Sequence, residues 1–288
     1  MPIASIWMIV AASFFSLAAL FVKYASSYYS VYEIIMYRSL IGVLVCGFLL
    51  WKTKTTLATA HPWGHLFRCL IGTLSITLGA YTVSIIPISI AQTLSYTGPL
   101  WFCLLLSITY LRQGKPINYW TLAMVFVGFI GVCLMMRPEA IARFSLLGLI
   151  TGILAGATAG TADFMIRRLS EQKEPKERIV FYFTLLGTLL GAIATTLDQW
   201  HGHTLRSATF VFGVGIFATL AQLSLTAAWT YGAPLLNAVF AFSAIPVSVF
   251  LGLFFLGESL DTTTALGITI IFFAGCLASV FSIHKPAK

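Results

Sequence analysis

From Ile3 to Ile283 the chain alternates long apolar runs with short polar breaks, and each run is near the roughly 20 residues that a helix needs to cross a bilayer. Ten such runs are read, at 3–22, 31–51, 64–84, 88–110, 119–136, 145–167, 178–197, 208–231, 234–256 and 263–283. Inside them polar residues recur at helical spacing. Ser89, Gln92, Tyr96 and Pro99 share one face of the fourth run, and Thr219, Gln222, Thr226 and Trp229 repeat the same intervals in the eighth. Asn237 and Phe240 of the ninth run adjoin them. The candidate substrate-binding residues are therefore Gln92, Tyr96, Gln222, Thr226, Trp229, Asn237 and Phe240. The competing reading is that the amides are interhelical glue, worth about 0.6 kcal/mol each, and that Tyr96 and Trp229 are packing or interfacial anchors. Two matched stripes beside paired helix breaks favour a pathway.

Those breaks are written in proline. The layout of Ile85 to Trp101 recurs from Tyr231 to Ser248, with Pro87 and Pro99 returning as Pro234 and Pro246. A proline deep in a helix donates no hydrogen bond to the carbonyl four residues earlier and kinks the axis. Ser95 and Phe242 are expected to keep free carbonyls, which hydrocarbon tolerates only where protein or a water-lined cavity satisfies them. Helices broken at corresponding places in two halves point to a transporter's substrate path, and Pro99 and Pro246 are the candidate hinges. The closing segments also match, QGKPINYWTLAMVFVGFIGVCLMM with LGESLDTTTALGITIIFFAGCLAS, aligned on Gly114 and Gly257. The chain thus divides into repeats 1–136 and 145–283, five spans each, which must insert in opposite directions.

Composition agrees: 59% of the 288 residues are hydrophobic and 9% charged, against roughly 25% charged in soluble proteins. The fold class is all-α integral membrane, ten transmembrane helices as two inverted five-helix repeats. The net charge of +8 resides in short loops, where it reports orientation rather than nucleic-acid binding. Lys52, Lys54, Arg68, Arg112, Lys115 and the 167–178 connector lie on the side of the N-terminus, against Lys23, Arg137, Arg143 and Arg206 opposite. Both termini are expected in the cytoplasm. The run starting at Ile3 has no basic region before it and no cleavage site after it, so it is not read as a removed signal peptide. The five cysteines lie in apolar runs without paired or metal-ligand spacing, and no disulfide, metal or cofactor is expected. No nucleotide-binding glycine loop is present.

Charges within spans are functional candidates by default. Arg38 has Glu33 or a free carbonyl as its expected partner. Asp163 and Arg167, four apart near the inner end of the sixth span, are placed to pair, either as a rim ion pair or as an inner gate or proton site. The five histidines are placed in or beside loops, so proton relay has few candidates. Gly148, Gly152, Gly156 and Gly160 form a small-residue seam for close helix packing.

With Arg38 in the second span, the LxxxPLW and FSAIP elements, LGES after the ninth span and GFIGVCLMMRP closing the fifth, the chain resembles the EamA-type drug/metabolite transporter superfamily along its whole length. The stretch HPWGHLFRCLIGTLSITLGAYTVSIIPISIAQTLSYTGPL is similar to the S-adenosylmethionine-transporter-like branch. YLRQGKP lacks the acid usual after the fourth span, whereas Glu258 keeps it in the second repeat. The resemblance implies a secondary carrier with a central cavity lined mainly by the third, fourth, eighth and ninth spans. The bacterial inner membrane is the expected location, and a monomer or weak homodimer the expected state. Amino acids or related amines are the expected cargo, with S-adenosylmethionine or another organic cation as the alternative. A passive pore ranks lower. An enzyme is disfavoured, for want of a nucleophile beside a base or metal ligands.

Overall fold

The computed structural model describes residues 2–86, 88–136, 145–255 and 262–283, which form helices and no strands. Pro87, Gly257, Glu258 and Asp261 lie outside the described residues. After a 3₁₀ turn at Pro2–Ser5 come α1 (Ile6–Ala25), α2 (Val31–Lys52), α3 (Pro62–Ile85), α4 (Ile88–Ser95), α5 (Gly98–Arg112) and α6 (Tyr119–Met136). The second half holds α7 (Leu146–Glu171), α8 (Lys176–Leu197), α9 (Leu205–Tyr231), α10 (Pro234–Ala241), α11 (Ala244–Phe255) and α12 (Thr262–Ile283). Among the described residues, eight segments are long and apolar enough to cross a membrane, and Tyr119–Leu134 is a shorter apolar helix. With α3 these make ten crossings, the fourth split into α4 and α5 and the ninth into α10 and α11.

The long partnerships are α1 with α9, α2 with α8, α3 with α7 and α6 with α12. Exchanging the two halves turns the α1–α9 pair into α7–α3 and maps the α2–α8 and α6–α12 pairs onto themselves. This two-fold pattern is the geometry of inverted repeats. Side chains are arranged inside out relative to a soluble protein. Leu44, Phe48, Phe126, Phe212 and Phe273 face outward, while Ser16, Ser39, Thr184, Thr219, Gln222 and Asn237 are buried, as expected where lipid replaces water. Exposed Trp51, Trp63, Tyr119 and Trp120 ring the end at which α1 begins, an interfacial aromatic belt. That end is termed the N-face, and the other the far face.

At the far face the start of two helices is fixed by paired caps. Ser30 and Glu33 form a capping box on α2, and Thr204 and Ser207 form one on α9. Tyr29 Oη and Ser207 Oγ, 2.7 Å apart, join the two boxes. The Glu33 carboxylate also accepts from His201, from the backbone N–H at 2.9 Å and against Nδ1 at 2.6 Å. Glu33 is therefore committed to His201 and Ser30, which overturns its expected pairing with Arg38.

At the N-face the connector between the halves is clasped to the α2–α3 loop through Glu174. Its carboxylate accepts from Thr59 Oγ1 at 2.5 Å and from Arg178 at 2.8 Å. His65 Nε2 stands 3.2 Å away, an ion-pair contact whose angle falls short of a hydrogen bond. His65, expected beside a loop, is a buried residue of the first turn of α3. Arg178 donates in addition to the Thr56 carbonyl. Burial by itself raises the Glu174 pKa, but the Thr59 and Arg178 bonds and the His65 contact outweigh it and hold the group below its ordinary value near 4.5. A depressed folded-state pKa adds stability that is present above the unfolded value and is lost as pH falls through the folded one. Thermal unfolding in detergent at a series of pH values below 4.5 should therefore show a decline that Glu174→Gln lacks. Equal pH slopes in the two proteins would refute the assignment.

Candidate functional site

Each split crossing is interrupted by two residues, Tyr96 and Thr97 in one, Phe242 and Ser243 in the other. Pro99 and Pro246 fall in the first turn of the helix that follows, where a missing N–H costs little. The main chain at both breaks is satisfied in the same way. Thr97 donates its N–H (3.1 Å) and its hydroxyl (2.6 Å) to the Leu94 carbonyl, and Ser243 donates its N–H (3.0 Å) and hydroxyl (2.7 Å) to that of Phe240. Phe242 does not keep a free carbonyl as expected, because the Ile245 N–H reaches it at 3.1 Å in a tightened turn.

The breaks are seated against the opposite half. The glycine seam of α7 receives the first: a Cβ on Gly156 would meet the Leu94 carbonyl at 2.6 Å, and one on Gly160 the Phe102 nitrogen at 2.8 Å. The second is braced by α1, where buried Ser16 donates to the Ala244 carbonyl at 3.0 Å and accepts from Ser248 at 3.0 Å.

Between these seats the structure gathers Tyr96, Trp229 and Phe240 in one core cluster, and Asn237 is buried between cluster members Leu236 and Ala238 of α10. Asn237 donates from Nδ2 to the Ala228 carbonyl at 2.6 Å, tying α10 to the end of α9, while its buried Oδ1 has no partner. Trp229 is 1% exposed and lies against Phe102, ring centroids 4.1 Å apart. α5 packs on α10 at this end, whereas among the described residues no packing of that extent joins α4 to α11. The bundle is shut at the N-face.

Gln222 sits elsewhere, and Thr226 joins neither group. A narrow cleft between α2, α3, α8 and α9 is lined by Gln222, Thr219, Arg38, Thr73, Thr77 and Phe183, among others. Exchanging the halves swaps α2 with α8 and α3 with α9, so the cleft lies on the two-fold axis. Thr226 is fully buried and returns its hydroxyl to the Gln222 carbonyl at 2.8 Å. The side chain of Gln92 lies outside the described residues. The predicted stripe on α9 therefore divides, its upper half on the cleft and its lower end in the N-face seal.

Two charge assignments change. Arg167 pairs with Glu171 at 3.0 Å and not with Asp163. Both choices are four residues apart, and the outer one leaves the Arg167 head near the rim, where its charge stays hydrated. Asp163 instead points into the bundle, where Arg68 is the cation facing it and the Trp229 indole nitrogen stands nearby without the geometry of a hydrogen bond. Arg68, read from sequence as a loop charge, is 3% exposed in α3 with its guanidinium 4.0 Å above the Phe183 ring. The one sequence signal for it was Gly72, a turn further on, whose missing side chain makes the room.

The model of the EamA-like transporter family matches residues 2–137 and again residues 146–280. The chain belongs to the EamA-like transporter family. Like other members it is a membrane transporter, and its relatives are named for different cargo. It is 29% identical over 277 residues to a pseudopaline exporter of Pseudomonas aeruginosa, covering 96% of this chain and 95% of that one. It is 24% identical over 267 residues to an S-adenosylmethionine uptake transporter of Rickettsia bellii, covering 92% and 88%. A crystal structure superposes on this EamA-like transporter with a TM-score of 0.80 at 16% identity, over 97% of this chain and 99% of that one, a likeness of fold.

Proposed function

We propose that this transporter is a secondary carrier that moves small organic metabolites, amino acids or related amine compounds, by alternating access across the bacterial inner membrane, with the N-face in the cytoplasm. The observation that carries the reading is the pair of matched helix breaks, each satisfied within its own turn and seated on the other half. Such breaks border substrate sites in carriers built from inverted repeats. The seal of Trp229 on Phe102 at the N-face supports the reading, since one of the two states that alternating access requires is closed on that side. Removing Arg68 from the loop count leaves the orientation argument standing, because Lys52, Lys54, Lys115, Lys173 and Lys176 lie at the N-face against Lys23 and Arg206 at the far face.

S-adenosylmethionine or another organic cation is the second reading. It rests on the rings of Tyr96, Trp229 and Phe240 in one cluster, since aromatic faces substitute for a counter-ion, and on the relatives named for S-adenosylmethionine uptake. The relatives are named for opposite directions of movement, so the test must be independent of direction. Solute counterflow in proteoliposomes should show trans-stimulated uptake. Flux without trans-stimulation would indicate a pore and overturn the carrier. In the same assay Pro99→Ala or Pro246→Ala, or both, should keep ligand binding while slowing exchange, because a straightened helix biases one facing state. Wild-type exchange in both single mutants and in the double mutant would remove the hinge role.

A further inference from the structure

The connector between the halves, RRLSEQKEPKER from Arg167 to Arg178, carries five basic residues against three acidic ones. Each acid is held by a base of the same segment: Glu171 by Arg167 at 3.0 Å, Glu174 by Arg178 at 2.8 Å and Glu177 by Lys176 at 3.9 Å. Arg168 and Lys173 are the surplus. Both are exposed, and no hydrogen bond or ion pair joins the Arg168 guanidinium to a described residue.

What surrounds Arg168 sets it apart from Lys173. It stands in a groove between the start of α3 and the end of α7, with Trp63 and Phe67 on one wall and Met165 and Gln172 on the other. The floor is closed where Gly64 meets Leu169, so tightly that a Cβ on the glycine would come within 2.9 Å of that side chain. From the groove two stripes run into the membrane at helical spacing. On α3, Trp63, Phe67, Leu70 and Leu74 are exposed. On α7, which packs along α3, the stripe is Met165, Thr161 and Thr158, all half-buried. The two threonines donate their hydroxyls to carbonyls of α7 itself, at 2.7 Å each, which leaves their methyl groups to the surroundings. A ridge of large side chains thus runs beside a shallow trough of small ones, and one uncompensated cation stands at the end of both.

A charged head and an apolar track call for an amphipathic ligand, and two features name its class. The track lies on the outer surface of the bundle, and its polar end is level with the aromatic belt, which is headgroup depth. The charge there is positive. A guanidinium is a planar fork that matches phosphate oxygens, and Gln172, one turn on, adds a neutral hydrogen-bonding group. A soluble anion would use the head and leave the track bare.

We infer that this groove binds an anionic phospholipid, its phosphate on Arg168 and one acyl chain along the α3–α7 track. The glycines that seat the first helix break are on α7, so a lipid joining α3 to α7 braces that seat from outside. The inference needs only that the chain lies in a bilayer, and it is independent of the cargo and of the carrier reading.

The test uses the purified full-length chain, stripped of lipid by detergent exchange, in native mass spectrometry and thermal-shift measurements. Phosphatidylglycerol is compared with phosphatidylcholine of the same acyl chains, whose phosphate is neutralised by its own choline, and with inorganic phosphate. Phosphatidylglycerol should give more adducts and a higher melting temperature than phosphatidylcholine, and inorganic phosphate should give no shift. Arg168→Gln should weaken phosphatidylglycerol binding about fivefold, the usual worth of one basic residue at an anionic membrane surface. Its lipid-free melting temperature should match wild type, since no internal partner is lost. Lys173→Gln removes the same charge from the same connector outside the groove and should bind as wild type does. Met165→Trp keeps Arg168 but fills the groove, and it should weaken binding as well. Equal binding of the two lipids, equal losses in Arg168→Gln and Lys173→Gln, undiminished binding in Met165→Trp, or equal stabilisation by inorganic phosphate would each overturn the site.

Discussion

Trp229→Ala should unseal the N-face. The indole is almost fully buried, lies 4.1 Å from the Phe102 ring, and belongs to the cluster that also holds Tyr96, Phe240 and Phe242. Emptying a buried tryptophan site costs about 3–5 kcal/mol in protein interiors. Part of that loss should fall on this facing state, because the ring packs on Phe102 of α5 at the end where α5 meets α10. The variant should melt well below wild type and populate the state open at the N-face. Native Cys103, buried beside Phe102, supplies the readout. A maleimide added from the N-face should modify it much faster in Trp229→Ala, as located by mass spectrometry. Trp229→Phe, which keeps a ring, should show a smaller effect. Unchanged Cys103 reactivity together with a lowered melting temperature would make Trp229 a packing residue and no part of a gate.

Gly160→Leu should abolish folded protein, and Gly160→Ala should lower stability by about 1–3 kcal/mol, the range for overpacking a tight core. The notional Cβ meets the Gly98 carbonyl, the Phe102 nitrogen at 2.8 Å and Trp101 Cβ at 2.9 Å. Two of the three are backbone atoms of α5, which no rotamer change can move aside. Gly79 is the control on a described helix, because a Cβ there would meet nothing within 4 Å. Gly79→Ala should match wild type in yield and melting temperature. Equal yields from Gly160→Leu and Gly79→Ala would mean that α7 does not hold the first break as closely as described.

The comparison of these two glycines shows what a single sequence can convey. Spacing alone placed Gly148 to Gly160 on one face and predicted close packing, since periodicity reports which residues share a side of a helix. The two broken crossings were readable for a similar reason, because proline acts on its own local backbone. The residues that complete the breaks were not. Thr97 and Ser243 look like any hydroxyls in an apolar run until the chain is seen to interrupt just before them. Arg68 was counted with the loop charges of the N-terminal side, although the third run already begins at 64, because hydropathy gives no sign that a guanidinium leans away from the nearest water. Between Asp163 and Glu171 as partner for Arg167, spacing is neutral and hydration decides. The Glu174 and Glu33 clasps join residues more than a hundred positions apart, and their register is set by tertiary packing.

The hydroxyls at Thr97 and Ser243 bear on how a carrier can move at a useful speed inside oil. A half-helix that swings about its break keeps both donors on the same carbonyl, since donor and acceptor ride on one turn and travel together. No backbone dipole need be stripped of its partner along the way, so the barrier is left to side chains sliding past one another. Sliding friction of that kind depends on lateral pressure and chain order in the surrounding lipid. The turnover of this protein should therefore respond to the fluidity of its membrane more steeply than to the hydrogen-bonding strength of the medium on either side.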